Sequence, residues 1–148
     1  MRTLDSLIWD VAFGSEHELP QTVLICHDPT LDLTRAAVAT GAPVLFLDSD
    51  YARSQEASAM GAEIAGDVRL DEFLAGATGF AVAVGEMPKS LARLDYLARS
   101  IAGAGYDDVL VALGANNKHL ARSMNTVLGD SFTDVAASLG RGKFRCLV

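Results

Sequence analysis

Several groups of residues in this chain have the types and spacing to do chemistry. His27-Asp28 sets an imidazole beside a carboxylate, the composition of a general base and its orienting partner. Asp48-Ser49-Asp50 follows the apolar run Val44–Leu47, and an acid at the end of a strand can hold ribose hydroxyls. Lys118, His119 and Arg122 gather where a helix is expected to start after Gly114-Ala115-Asn116-Asn117, a place where backbone amides and cations together suit a phosphate. Arg141, Lys143 and Arg145 alternate near the C-terminus, so that Lys143 and Arg145 share one face of a strand. Lys89 follows Pro88 at the opening of a helix, a poor electrostatic position for a cation. It therefore calls for a partner: Asp48, Asp50 or an external anion.

Each group also has a plainer reading. Adjacent residues such as His27 and Asp28 rarely face one pocket, and no nucleophile stands near them, so His27 reads as a surface residue at a strand end. Ser49 or Asp50 suits the N-cap of a helix over Tyr51–Met60, whose positive end favours negative charge. Lys118, His119 and Arg122 fit a solvated helix face. The basic strand face is harder to dismiss on an acidic protein, and it reads as a contact to RNA or to acidic groups of a neighbouring domain.

The elements that position these groups follow from the pattern of apolar residues. Thr22–Cys26, Val44–Leu47, Phe80–Val84 and Asp108–Leu113 are continuous apolar runs, the type expected of parallel central strands covered on both faces. A leading amphipathic helix is expected from Leu4, Leu7, Ile8 and Val11. Further helices are expected over Leu31–Thr40, with Asp32 or Thr34 as cap, over Tyr51–Met60, and from Ser90 to Gly103 with Leu91, Leu94, Leu97, Ala98 and Ile101 apolar. Another should run over Lys118–Leu128, ended by Gly129 or Asp130. A short edge strand within 61–67 and a helical turn at Leu70–Leu74 complete the middle. Phe132–Leu139 and Lys143–Val148 read as two strands joined by Gly140-Arg141-Gly142. The fold class is thus α/β: a three-layer Rossmann-like domain whose mostly parallel sheet of about seven strands closes with an antiparallel hairpin, as in class I methyltransferases.

A dinucleotide or S-adenosylmethionine site in such a sheet needs glycines just past the first strand, where backbone approaches the ligand. The turn here is His27-Asp28-Pro29-Thr30-Leu31-Asp32-Leu33, with no glycine and two acids after His27. Asp48 and Asp50 are therefore weak cofactor candidates.

The 148 residues fit one α/β domain, half of them hydrophobic, without an apolar run of membrane-spanning length. The first residues lack a signal pattern, which points to the cytoplasm and away from the membrane. Cys26 and Cys146 lie in separate predicted strands and read as buried free thiols, not a disulfide or metal pair. Charge is uneven: residues 1–75 carry four basic and thirteen acidic groups, residues 76–148 eight and six. Nucleic-acid contact should therefore come from the second half. The chain ends inside a predicted strand without a polar tail, as at a domain boundary.

From Thr22 to Val148 the sequence resembles the N-terminal domain of bacterial two-domain rRNA guanine-N2 methyltransferases. The resemblance is carried by Leu47-Asp48-Ser49-Asp50-Tyr51, Met87-Pro88-Lys89-Ser90-Leu91, Leu113-Gly114-Ala115-Asn116-Asn117-Lys118-His119 and the closing Ala136-Ala137-Ser138-Leu139-Gly140-Arg141-Gly142-Lys143-Phe144-Arg145. It implies a degenerate, non-catalytic copy of the methyltransferase fold. In that family the C-terminal domain binds S-adenosylmethionine and carries an Asn-Pro-Pro-aromatic motif for the target guanine. At the matching place this chain has Glu86-Met87-Pro88-Lys89, so no catalytic residue carries over. The expected partners are that catalytic domain and rRNA or a ribosomal precursor, with a homodimer also open. The alternatives are a small S-adenosylmethionine- or nucleotide-dependent enzyme with an atypical loop, or a pure interaction module.

Overall fold

The structure, a computed structural model, describes residues 1–14, 20–116, 119–120, 122–132 and 144–147. Helix α1 (Thr3–Phe13) leads into β1 (Thr22–Ile25), α2 (Asp32–Ala39), β2 (Val44–Phe46), α3 (Tyr51–Met60) and β3 (Glu63–Ile64). Then come α4 (Leu70–Phe73), β4 (Phe80–Glu86), α5 (Leu91–Ala102), β5 (Asp108–Asn116), α6 (Arg122–Ser131) and β6 (Phe144–Leu147). The strands form one sheet in the order β3-β2-β1-β4-β5-β6. β1 to β5 are parallel and β6 runs antiparallel to β5.

The alternation of side chains along each strand explains the three layers. Val23 and Ile25 of β1, Val82 and Val84 of β4 and Ala112 of β5 point to one face, where α1, α2 and α3 bury Leu4, Leu7, Ile8, Leu33, Ala37 and Ala57 on them. Leu24, Ala81, Ala83, Val111 and Leu113 point to the other face, under Leu70 of α4, Leu94, Leu97 and Ile101 of α5 and Leu128 of α6. Each fully buried aliphatic side chain contributes about 1.5–3 kcal/mol. The four predicted central strands are all present, and all are parallel.

Four expectations change. The described sheet has six strands, not about seven; the expected hairpin, including its turn and most of Phe132–Leu139, lies outside the described residues. β5 extends three residues past Leu113 because Gly114, Ala115 and Asn116 pair with Cys146, Arg145 and Phe144 of β6. The following helix accordingly begins at Arg122, not Lys118, and continues through Gly129 and Asp130 to Ser131. Leu91, expected on the apolar face of α5, is instead exposed at the first position of the helix.

At α2 neither Asp32 nor Thr34 acts as cap. Leu31 occupies the N-cap position in the left-handed region, φ 61°, the one such non-glycine residue among those described. That conformation costs on the order of 1–2 kcal/mol, offset by burial of its side chain. Cys26 is buried as expected, and burial pushes its thiol up to about 12, so it is inert as a nucleophile. β1 and β6 stand three strand spacings apart, roughly 14 Å, which excludes a bridge between Cys26 and Cys146. Among the described residues no helix is long and apolar enough to cross a membrane.

Candidate functional site

The carboxyl ends of the parallel strands meet at one edge of the sheet, and the strand order reverses between β1 and β4. Ligands of open α/β sheets bind at such a point. Two of the clefts among the described residues lie there, on either side of the segment that leaves β4. One, of about 490 Å³, lies toward β1 and β2 and is lined by Cys26, His27, Asp48, Ser49, Lys89 and Arg93 among others. The other, of about 640 Å³, lies toward β5 and α1, with Arg2, Leu4, Asn116, His119 and Met124 on its walls. Glu86, Met87, Pro88 and Lys89 border both.

Asp48 is the centre of the first cleft's polar wall. It stands where β2 ends and is almost completely buried. Arg53, in the first turn of α3, donates its Nε to Oδ2 at 2.9 Å. His27 reaches the same oxygen through Nδ1 at 3.2 Å, and the Asp50 backbone N–H donates to Oδ1 at 2.9 Å. Burial pushes this carboxyl up, but the hydrogen bonds from His27, Arg53 and the Asp50 amide together outweigh it and hold it well below the usual carboxylate range. The bond to Asp48 in turn raises the Arg53 guanidinium. Since a carboxylate only accepts, the bond fixes the proton of His27 on Nδ1. The orienting acid of His27 is thus Asp48, from the next strand, and not its neighbour Asp28.

Asp50 fills the capping role foreseen for it: Oδ1 accepts from the Arg53 backbone N–H at 2.9 Å. Gly61, at φ 109°, closes the same helix.

Asp28 turns inward. Its Oδ2 accepts from the Thr34 backbone N–H at 2.7 Å and from the Thr34 hydroxyl at 2.8 Å. Oδ1 has no hydrogen-bond partner among the described residues, and burial pushes this carboxyl up. The same turn is tied to α1, because buried Asp5 accepts from Thr30 Oγ1 at 3.1 Å and from Arg2 Nε at 2.9 Å. Arg2 also reaches Glu86 Oε2 at 3.2 Å.

The predicted cations separate. Lys89 is exposed on the ridge between the clefts and forms no ion pair with another described residue; neither Asp48 nor Asp50 is its partner. His119 borders the larger cleft before α6, and Arg122 opens that helix, exposed. Lys118, Arg141 and Lys143 lie outside the described residues, while Arg145 is placed by backbone on β6 opposite Ala115. Sequence reasoning missed Arg53 and Arg93. Arg93 donates Nη2 to the Leu47 carbonyl at 3.0 Å and lies over the Tyr96 ring, 5.4 Å from its centroid. Its place in the first turn of the helix that Ser90 opens was the available signal.

No family model matches the chain, and no curated protein matches it in sequence. Solved structures do match its fold. The T. thermophilus 16S rRNA N2 G1207 methyltransferase, in complex with AdoMet and guanosine, aligns with a TM-score of 0.67 at 12% identity over 97% of this chain. This chain spans 37% of that one. A TehB-like SAM-dependent methyltransferase from Corynebacterium glutamicum aligns with a TM-score of 0.65 at 11% identity, covering 99% of this chain and 86% of that one. The fold is that of the SAM-dependent methyltransferases.

Proposed function

We propose that this chain is a methyltransferase-fold domain that performs no chemistry itself, supports a catalytic methyltransferase domain and helps to position rRNA. The observation carrying this reading is the filled turn between β1 and α2. A methyltransferase needs open backbone there. Here Leu31 and Leu33 bury their side chains, and Asp28 folds inward onto Thr34. Pro29 offers no amide. The acid that would hold a ribose, Asp48, already accepts from Arg53, His27 and a backbone amide. Asp50 is engaged as a cap. The residues present do not fit S-adenosylmethionine, which on this reading is bound by the catalytic domain.

The test is titration of the purified chain with S-adenosylmethionine and its demethylated product. No saturable binding tighter than about 100 μM, about −5.5 kcal/mol, is expected. Tighter binding would overturn the reading in favour of a small methyltransferase with an atypical loop.

The likeness to an enzyme of 16S rRNA supports RNA as the partner. Contact is assigned to Lys89, Lys118, His119, Arg122, Arg141, Lys143 and Arg145. In the two-domain protein, neutralising Lys143 and Arg145 together should weaken RNA binding and reduce its salt dependence by about two units of slope. An unchanged slope would place both residues at the domain interface instead.

A further inference from the structure

We propose that the cleft between the carboxyl ends of β1, β2 and β4 seats a phosphate group, held by Lys89 and Arg93. The argument starts from the charges that border this cleft. Its carboxylates are Asp48 and Glu86. Asp48 is neutralised by Arg53 behind it, and Glu86 pairs with Arg2, the residue before α1. Lys89 and Arg93 border the same cleft, and neither forms an ion pair with a described carboxylate. The two cations reach one cleft from consecutive segments, Lys89 just before α5 and Arg93 in its first turn. An anion placed between them is attracted by both.

The donors are organised for it. The Leu47 carbonyl and the Tyr96 ring fix the Arg93 guanidinium, which uses one of its N–H groups on that carbonyl and keeps others for a ligand. Ser90 Oγ accepts from the Arg93 backbone N–H, so its own O–H remains available to donate. Ser49 adds a second hydroxyl at the rim. An ammonium, a guanidinium fork and two hydroxyls suit an anion with three or four oxygens better than a carboxylate with two. The cleft's volume, about 490 Å³, is in the range that holds a small organic ligand. Cys26, Met87 and Leu97 supply an apolar wall beside the donors, suited to the body of a nucleotide. Two uncompensated cations would also repel the sulfonium of S-adenosylmethionine.

The seat does not depend on the supporting-domain reading, and small probes test it separately. Calorimetric titration of the whole chain uses inorganic phosphate, guanosine monophosphate, guanosine and a short single-stranded oligoribonucleotide. Guanosine monophosphate is expected to saturate the site below about 1 mM while guanosine does not, and Lys89→Ala should weaken it at least about tenfold. Lys89→Arg, which keeps the charge, should stay within about threefold of the parent protein. Lys89 is exposed, so an unchanged melting temperature verifies that Lys89→Ala folds. Binding by the oligonucleotide alone, with the same dependence on Lys89, would support the seat and identify the RNA backbone as its phosphate. Absence of saturation by every phosphate-bearing probe would overturn it. So would equal affinity of Lys89→Ala and the parent, or equal losses in Lys89→Ala and Lys89→Arg.

Discussion

Gly85→Ala is expected to destabilise the domain by about 3 kcal/mol or more, lowering its melting temperature by roughly 10 °C. The added Cβ would lie 2.7 Å from the backbone nitrogen of His27, 2.9 Å from its carbonyl oxygen and 3.2 Å from Cys26 Cβ. Two of these neighbours are main-chain atoms, which cannot rotate aside. They are also pinned: Cys26 N–H donates to the Val84 carbonyl at 2.9 Å and Glu86 N–H to the His27 carbonyl at 2.8 Å. Admitting one methyl group therefore means separating β1 from β4 and losing at least part of a buried hydrogen bond. Gly114→Ala is the internal comparison. Its Cβ would come within 2.6 Å of Ile8 Cγ1 and 3.0 Å of Leu4 Cδ1, side-chain atoms that can yield. A cost of about 1–2 kcal/mol is expected there. Urea unfolding of both variants checks the ranking, and a Gly85→Ala cost below that of Gly114→Ala would refute the account.

Asp48→Ala is expected to cost about 3 kcal/mol, because it leaves the Arg53 guanidinium and the His27 imidazole without their shared acceptor at a half-buried site. The same residue sets a pH signature. Asp48 is held below its unfolded value, so its contribution is present above the ordinary carboxylate pKa and lost as pH falls from there toward the folded value. Asp28 is raised, so its contribution has the opposite sign: full below the ordinary pKa and lost as pH rises through the folded one. Unfolding free energies measured from pH 3 to 8 should show Asp48→Asn flattening the acid limb and Asp28→Asn flattening the decline toward neutral pH. If Asp28→Asn left the neutral side unchanged, the buried, half-satisfied carboxylate would not be the cause of that decline.

The contrast between these acids shows what a sequence exposes and what it conceals. Helix α3 was legible to the residue because both its signals are local: Asp50 caps Arg53 three residues on, and Gly61 supplies the left-handed stop. The central strands were legible because burial on both faces leaves no polar position to confuse their reading. The start of α2 was not, since its capping oxygen belongs to Asp28, outside the helix, and reverses the role expected of Thr34. The His27–Asp48–Arg53 group was likewise hidden, because β1 and β2 bring its members together across 21 residues. The absence of a glycine after β1 was plain in the sequence. That Asp48 and Asp50 are already engaged needed coordinates.

The position of α1 has a consequence for how the chain is made. Its Ile8 and Leu4 pack against Gly114 of β5, about a hundred residues later in the chain. At roughly 5–20 residues per second, the ribosome delivers that docking surface some 5–20 s after the helix itself. Throughout that interval Leu4, Leu7 and Ile8 can cover only the part of their face that β1 and β4 supply, and the edge of β4 that β5 will pair is open. This early segment therefore completes its burial only when β5 arrives, and its apolar face is exposed for longer on the nascent chain than on the finished domain.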